Sequence, residues 1–280
     1  MRVAYLGPPG TFTEDALREA AAGAELDAVP AASVFAAISA VEAGEADRAF
    51  VPFENSIEGA VRSTLDTLAF ETEGVTIIGE HDLSISHCLI AREELPLDRI
   101  EVVLSHPQGT AQCARFLREQ LPRAEVRTAS STAEAVRIVS EGSAQWAALG
   151  AAGAAELYGC VVLLDGVEDH PDNVTRFVWI APGGTEAPAG ASGPWRTSLI
   201  FAELGDDRPG ALVDALQAFS AKGVNLTRIE SRPRPGGLGR YMFFVDLEGG
   251  VQEQPVADAI EELRSLAESV RILGSYPVGG

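Results

Sequence analysis

Short apolar runs alternate with amphipathic stretches through residues 1–181. The runs at 3–6, 48–52, 75–78, 83–91, 100–104, 126–129, 147–149, 161–164 and 178–181 read as strands. Helical spacing covers 11 to about 22, Ser33 to about 43, a stretch carrying Ser63, Thr64 and Leu65, and then 111–120, 132–140 and 151–158. Strands that alternate with helices favour an α/β fold built on mainly parallel sheets. The run at 83–91 reads as a crossover into another lobe, and the chain re-enters after residue 160. The first 182 residues are therefore expected to form two lobes, roughly 1–80 plus 160–182 and 81–159, with a cleft between them.

The pattern changes after a Gly/Pro/Ala tract at 182–194, whose one charge is Glu186. Such a tract predicts a linker over 183–195. Beyond it come a strand at 198–203, a helix opened by Pro209 and ending near Gly223, strands at 224–231 and 241–247, a helix at 256–268 and a strand at 270–273. That order, βαββαβ, is a ferredoxin-like sandwich, expected over 196–276.

Composition narrows the chemistry. A net charge of −20 over 280 residues argues against nucleic acid or an anionic membrane as partner. It also means that an anionic substrate must be caught by local features, because the global field repels it. Lys222 is the single lysine among 21 basic residues, so no phosphate loop of the Gly-Lys kind exists. His81, His87, His106 and His170 form no metal-ligand spacing, and no metal or cofactor is expected. Cys88, Cys113 and Cys160, an odd number without Cys-x-x-Cys spacing, suggest a reducing compartment, the cytoplasm by default. No apolar run approaches the ~20 residues of a membrane span, and no signal-peptide pattern precedes the first strand.

Several strand-to-helix junctions carry polar groups. Gly7-Pro8-Pro9-Gly10-Thr11 leads into Thr11-Phe12-Thr13-Glu14, a capping-box spacing at a helix N-terminus that attracts anions. Glu54, Asn55 and Ser56 end a strand where α/β folds place ligands, although the same residues suit an ordinary turn capping the next helix. Ser105-His106-Pro107-Gln108 opens a third junction, with Gln112 one turn beyond Gln108. Asn173-Val174-Thr175-Arg176-Phe177 enters a buried strand, where alternation sends Thr175 and Phe177 to one side and Arg176 to the other. Its plain alternative is a β-branched strand opener with a surface arginine.

These segments, with Val51-Pro52-Phe53-Glu54-Asn55-Ser56, resemble the signature blocks of the prephenate dehydratase family, and the last 80 or so residues resemble an ACT domain. Thr13 stands where serine is common, and Phe53, in place of an aliphatic residue, is expected to tighten the pocket. The start of the chain implies that no chorismate mutase domain is fused to it. The resemblance implies a two-lobed catalytic domain like type II periplasmic binding proteins, converting prephenate to phenylpyruvate with loss of water and carbon dioxide. Thr175, Glu54, Asn55 and Gln112 would be catalytic. Thr11, Ser56, Thr64, Ser105, Arg176 and Phe177 would bind substrate, with Arg176 either gripping a carboxylate or bracing the loop from behind. L-Phenylalanine would act as effector on Gly210, Ala211, Leu212, Val213, Asn225, Glu230, Ser231, Arg232 and Pro233, in a homodimer or homotetramer. Arogenate dehydratase, or a binding protein without catalysis, are the alternatives that the residues leave open.

Overall fold

The computed structural model describes residues 1–187, 193–205, 208–234 and 239–279. Part of the expected linker, residues 188–192, and Asp206 and Asp207 before Pro209 lie outside the described residues. In chain order the elements begin β1 (Arg2–Leu6), α1 (Phe12–Ala20), β2 (Asp27–Ala31), α2 (Val34–Glu42), β3 (Arg48–Asn55), β4 (Gly59–Ala60) and α3 (Arg62–Asp66). A π-helical turn, Thr67–Glu71, leads to β5 (Val75–Ser84) and β6 (Cys88–Ala91). Then come β7 (Val102–Ser105), α4 (Pro107–Gln112), α5 (Ala114–Gln120), β8 (Glu125–Thr128), α6 (Thr132–Glu141), β9 (Trp146–Gly150), α7 (Ala152–Tyr158) and β10 (Val161–Leu164). The chain closes with β11 (Val174–Pro182), β12 (Trp195–Ala202), α8 (Ala211–Ser220), β13 (Leu226–Pro233), β14 (Tyr241–Glu248), α9 (Gln254–Leu266) and β15 (Ser269–Pro277).

The mixed α/β class matches the pattern, but three elements differ from it. The run at 83–91 is not one strand: it breaks between Ser84 and Cys88, and the break turns His87 inward. The helix expected at 111–120 starts earlier, at Pro107, and is interrupted at Cys113, whose φ of −115° and ψ of 20° are not helical. Strand β2, Asp-Ala-Val-Pro-Ala, escaped the pattern because it lies at a sheet edge, mostly exposed, where a proline is tolerated. Its partner is β1, in parallel register from Arg2↔Asp27 to Leu6↔Ala31.

Two compact units divide the chain. The first holds Met1–Ala37, Phe50–Val61 and Asp82–Phe177; the second holds Ile38–Ala49, Arg62–His81 and Val178–Gly280. In the first unit a five-stranded sheet runs β10-β6-β9-β7-β8. Alternate residues of its strands serve two cores. Cys88, Ile90, Val102 and Leu104 pack with Val136 and Val139 of α6, while Leu89 and Val103 pack with Cys113 and with Leu117 of α5. Cover on both faces explains why the inner strands β6, β7 and β9 read as unbroken apolar runs.

In the second unit β13-β14-β12-β15 form an antiparallel sheet, the βαββαβ order expected from the sequence. Helices α8 and α9 bury Ala215, Phe219, Val256, Ile260 and Leu263 against Leu199, Phe201, Val245 and Leu247. The sheet is extended by β5, which pairs in parallel with β15 at Ile77↔Gly274. A Cβ on Gly274 would meet the Ile77 carbonyl oxygen at 2.1 Å, so glycine is required for this approach. Arg196 pairs with the buried Glu80 in the same unit. No helix among the described residues is long and apolar enough to cross a membrane.

Candidate functional site

In the first unit a cavity of about 540 Å3 lies among the loops that follow β1, β3, β7 and β8 and the start of β11. That volume falls inside the range usual for small-molecule sites. Thr11, Thr13, Asn55, His87, Gln108, Gln112, Ser131, Thr132, Asn173, Thr175 and Phe177 are among its lining residues, and among the described residues no carboxylate, lysine or arginine is. Three helices, α1, α4 and α6, start at its wall, so their unbonded N–H groups and dipoles supply the local positive potential.

The helix starts are built differently. His106 caps α4, its Nδ1 accepting from Gln108 N at 3.3 Å, and Ser131 caps α6 by accepting from Glu134 N at 3.0 Å. At α1 the expected capping box is not made: Glu14 bonds the residue before the cap, and Thr11 makes no side-chain cap bond. Glu14 reaches back to Gly10 N at 2.6 Å, and the Thr11 hydroxyl donates to Leu6 O at 3.3 Å and leaves the helix end open.

Thr175 and Phe177 both face the cavity, and Phe177 stacks on Phe50 with centroids 5.3 Å apart. The alternation of β11 turns Arg176 the other way. Its guanidinium binds Glu54 at 2.8 Å and lies 5.0 Å from the Phe53 ring, so all three form a brace outside the cavity lining. Phe53 therefore does not narrow the pocket.

Asn55 is the hub of the site. Its side-chain oxygen accepts Ile57 N and Glu58 N, both at 3.0 Å. Its Nδ2 donates to Asn173 Oδ1 at 2.7 Å and to the Thr175 hydroxyl oxygen at 2.9 Å. Asn173 Nδ2 in turn donates to Gln112 Oε1 at 3.2 Å, which also meets His87 Nε2 at 2.9 Å. Gln112 Nε2 donates to Glu58 Oε1 at 3.3 Å. Ser56 sews β3 to β11, its hydroxyl accepting from Val174 N at 2.9 Å and its own N–H donating to Val174 O at 2.8 Å.

Three other residues singled out in the sequence do not line the cavity. Ser105 is fully buried and donates to Leu149 O at 3.0 Å. Ser56 is exposed in its turn, and Thr64 is fully buried on α3 in the second unit. Conversely His87, Glu58, Asn173, Phe12 and the Ser130–Thr132 turn were not assigned from sequence. Asn173 and Phe12 lay inside quoted motif segments, whereas His87 and the Ser130–Thr132 turn had no such signal.

Burial pushes the His87 imidazole below its ordinary pKa, against smaller opposing effects of the Gln112 bond and the Glu168 charge. It also pushes the Cys88 and Cys113 thiols up to about 11 and about 12, which keeps them protonated and poor nucleophiles. No group of three or more metal-ligating side chains exists among the described residues.

A second cavity, about 280 Å3, lies in the second unit at the start of α8. Gly210, Ala211, Leu212 and Val213 line it with Arg208, Tyr241 and Phe243. Gly210 takes φ 87°, a left-handed conformation that suits glycine at this cap. Asn225, Glu230, Ser231, Arg232 and Pro233 are not in its wall; Arg232 instead grips Asp66 with three contacts of 2.6–3.0 Å.

A family model for prephenate dehydratase matches residues 3–184, and one for the ACT domain matches 198–265. A prephenate dehydratase of Mycolicibacterium vanbaalenii is 40% identical over 290 residues, covering 99% of this chain and 91% of the relative. That of Mycobacterium tuberculosis H37Rv is 40% identical over 288 residues, covering 100% and 88%. The crystal structure of prephenate dehydratase from Arthrobacter aurescens in complex with L-Phe superposes with a TM-score of 0.89 at 39% identity, over 99% of this chain and 90% of that one. The quorum-quenching acylase GqqA superposes with a TM-score of 0.88 at 32% identity, over 100% and 98%.

Proposed function

The chain belongs to the prephenate dehydratase family and is a lyase, and on that premise we propose how its own residues carry the conversion of prephenate to phenylpyruvate. The observation that carries the reading is the Thr175 hydroxyl. It faces the cavity and accepts from Asn55, and its proton has no acceptor among the described residues. A hydroxyl with its oxygen held and its proton unspent can donate to the departing hydroxyl of the ring. Asn55 withdraws electron density from that oxygen and fixes it, so positioning and electrostatics supplement the weak acidity of an alcohol.

Substrate carboxylates would be received by the open start of α1, with the Thr11 and Thr13 hydroxyls, and by the N–H groups at α6 with Ser131 and Thr132. Neutral donors suit the ring carboxylate for a specific reason. A tight ion pair would stabilise the anion that must fragment, whereas weak hydrogen bonds let carbon dioxide leave as the ring becomes aromatic. Phe177 and Phe12 would flank the ring, and Gln112 would bond the polar edge. Glu54 and Arg176 would act from outside, by bracing the turn on which Asn55 sits. No residue in this scheme requires a metal or cofactor.

The domain plan we favour is a catalytic part over 1–182, a linker over 183–195 and an ACT regulatory part over 196–276; the two family-model ranges support it. L-Phenylalanine is the proposed effector, by analogy with the L-Phe complex of the Arthrobacter relative, and the cavity at Gly210–Val213 is its proposed site. Homo-oligomerisation through the exposed edge strand β13, where Ile229 is 47% exposed, would bring Glu230–Pro233 of a second copy to that cavity. The odd cysteine count supports a cytoplasmic setting.

Amide hydrolysis is the second reading, favoured by the identity with GqqA over the whole chain. The site supports it less, because Thr175 faces an amide N–H and not a base that would draw off its proton. Incubating one purified sample with prephenate, arogenate and an N-acyl amide separates the readings. Phenylpyruvate from prephenate at the highest kcat/KM is the expected result. Turnover of arogenate or the amide alone would overturn it.

A further inference from the structure

We propose that Asn173 and His87 are positioning residues that set the polarity of a buried amide chain ending on the Thr175 hydroxyl. The proposal rests on the dehydratase reading above and adds two residues to it.

Each amide in the chain can in principle face either way, and donor–acceptor logic decides between them. A carboxylate offers acceptors, so Gln112 presents its Nε2 to Glu58, at 3.3 Å. Gln112 Oε1 is thereby turned inward. An amide oxygen only accepts, so both groups facing it must donate: Asn173 Nδ2 at 3.2 Å and His87 Nε2 at 2.9 Å. His87 is thus the Nε2–H tautomer. Its Nδ1 is buried with no partner among the described residues, which suits a lone pair better than an N–H. Asn173 then offers its oxygen to Asn55 at 2.7 Å and takes one of the two Asn55 amide hydrogens. The other hydrogen meets Thr175 at 2.9 Å.

The far end agrees with the near end. Backbone N–H groups of Ile57 and Glu58 hold the Asn55 oxygen away from Thr175. If Asn55 were reversed, its oxygen would face the hydroxyl. Thr175 would then spend its proton on Asn55 and have none for the leaving group. Asn173 and His87 are about 1% and 2% exposed, so water cannot substitute for either bond without opening the site.

Asn173→Asp keeps shape but replaces the donor to Gln112 by an acceptor. His87→Phe keeps a ring against Phe12, whose centroid is 5.1 Å away, but removes the donor. His87→Gln places an amide N–H near the position of Nε2. For folded variants we expect kcat on prephenate to fall about 10–100-fold in Asn173→Asp and about tenfold in His87→Phe, ranges typical of indirect positioning effects. KM should stay within about threefold, and His87→Gln should recover most of the loss. Because the chain acts through one hydroxyl, Asn173→Asp should cost less than threefold more in a Thr175→Val background. Full additivity with Thr175→Val, a rise in KM matching the fall in kcat, or unchanged kcat in Asn173→Asp would each overturn the proposal. If His87→Phe does not fold, Asn173→Asp and the Thr175→Val cycle still decide. A wild-type protein without turnover of prephenate would instead sink the dehydratase reading itself.

Discussion

Replacing Thr175 by valine removes one oxygen and keeps the β-branched shape. In the folded protein that oxygen accepts one hydrogen bond, from Asn55 Nδ2 at 2.9 Å. The amide retains Asn173 Oδ1 at 2.7 Å and Val174 O at 3.4 Å, so its hydrogens are not stranded. The structural cost is therefore one neutral hydrogen bond, about 1 kcal/mol. In a chain of this size that lowers Tm by about 2–4 °C. The catalytic cost is larger. Loss of a positioned proton donor lowers turnover about 10²–10⁴-fold, which at 1.36 kcal/mol per decade is about 3–5 kcal/mol of transition-state stabilisation. The two effects are thus separable by magnitude. Thr175→Ser keeps the oxygen and loses only the methyl group that restricts χ1, so it should cost about tenfold or less. Steady-state phenylpyruvate formation gives the rates, and a melting curve on the same samples gives the stability. A folded valine variant whose kcat lies within a few-fold of the parent would refute the role of the hydroxyl.

Arg176→Met should lower Tm by a few degrees, because it removes the ion pair with Glu54 and the cation–π contact with Phe53 made by a mostly buried guanidinium. As a brace it should leave KM within about threefold, and a tenfold rise would show that Arg176 holds substrate. Excess chelator should leave turnover unchanged, because every group assigned a role above acts without a metal; loss of activity restored by a divalent ion would contradict this. The His87 pKa is lowered in the folded state, so the folded protein binds fewer protons than the unfolded chain below the ordinary value of 6.5. Its contribution is complete above that value and is lost as pH falls through it towards the lowered one. Wild-type Tm should accordingly drop more than that of His87→Gln between pH 7 and pH 5, and parallel curves would count against a neutral, buried His87. Ala211→Trp should fill the cavity at the start of α8 and weaken L-phenylalanine binding at least tenfold by calorimetry; unchanged affinity would locate the effector elsewhere.

Periodicity alone identified the α/β class and the βαββαβ order of the last part. Those features depend on patterns local to a few residues: short apolar runs, helical spacing and caps. Alternation along β11 likewise separated Thr175 and Phe177 from Arg176 before any contact was visible, because successive side chains of a strand must point oppositely. The four motif segments carried the family.

Other features depend on residues far apart in sequence. Which way Arg176 is used follows from Glu54 and Phe53, more than 120 positions upstream. Ser105 and Thr64 carry the hydroxyls a site would use, yet both are fully buried and neither lines the cavity. His87 had no motif to mark it; a break between two strands turns it onto Gln112, 25 residues away. The uncharged cavity wall was equally invisible in a chain with 21 basic residues, because it depends on where three helices begin. Sequence determines which hydrogen-bonding groups exist and roughly which face each occupies. Packing decides which donor meets which acceptor, and in this protein that choice leaves the Thr175 proton available.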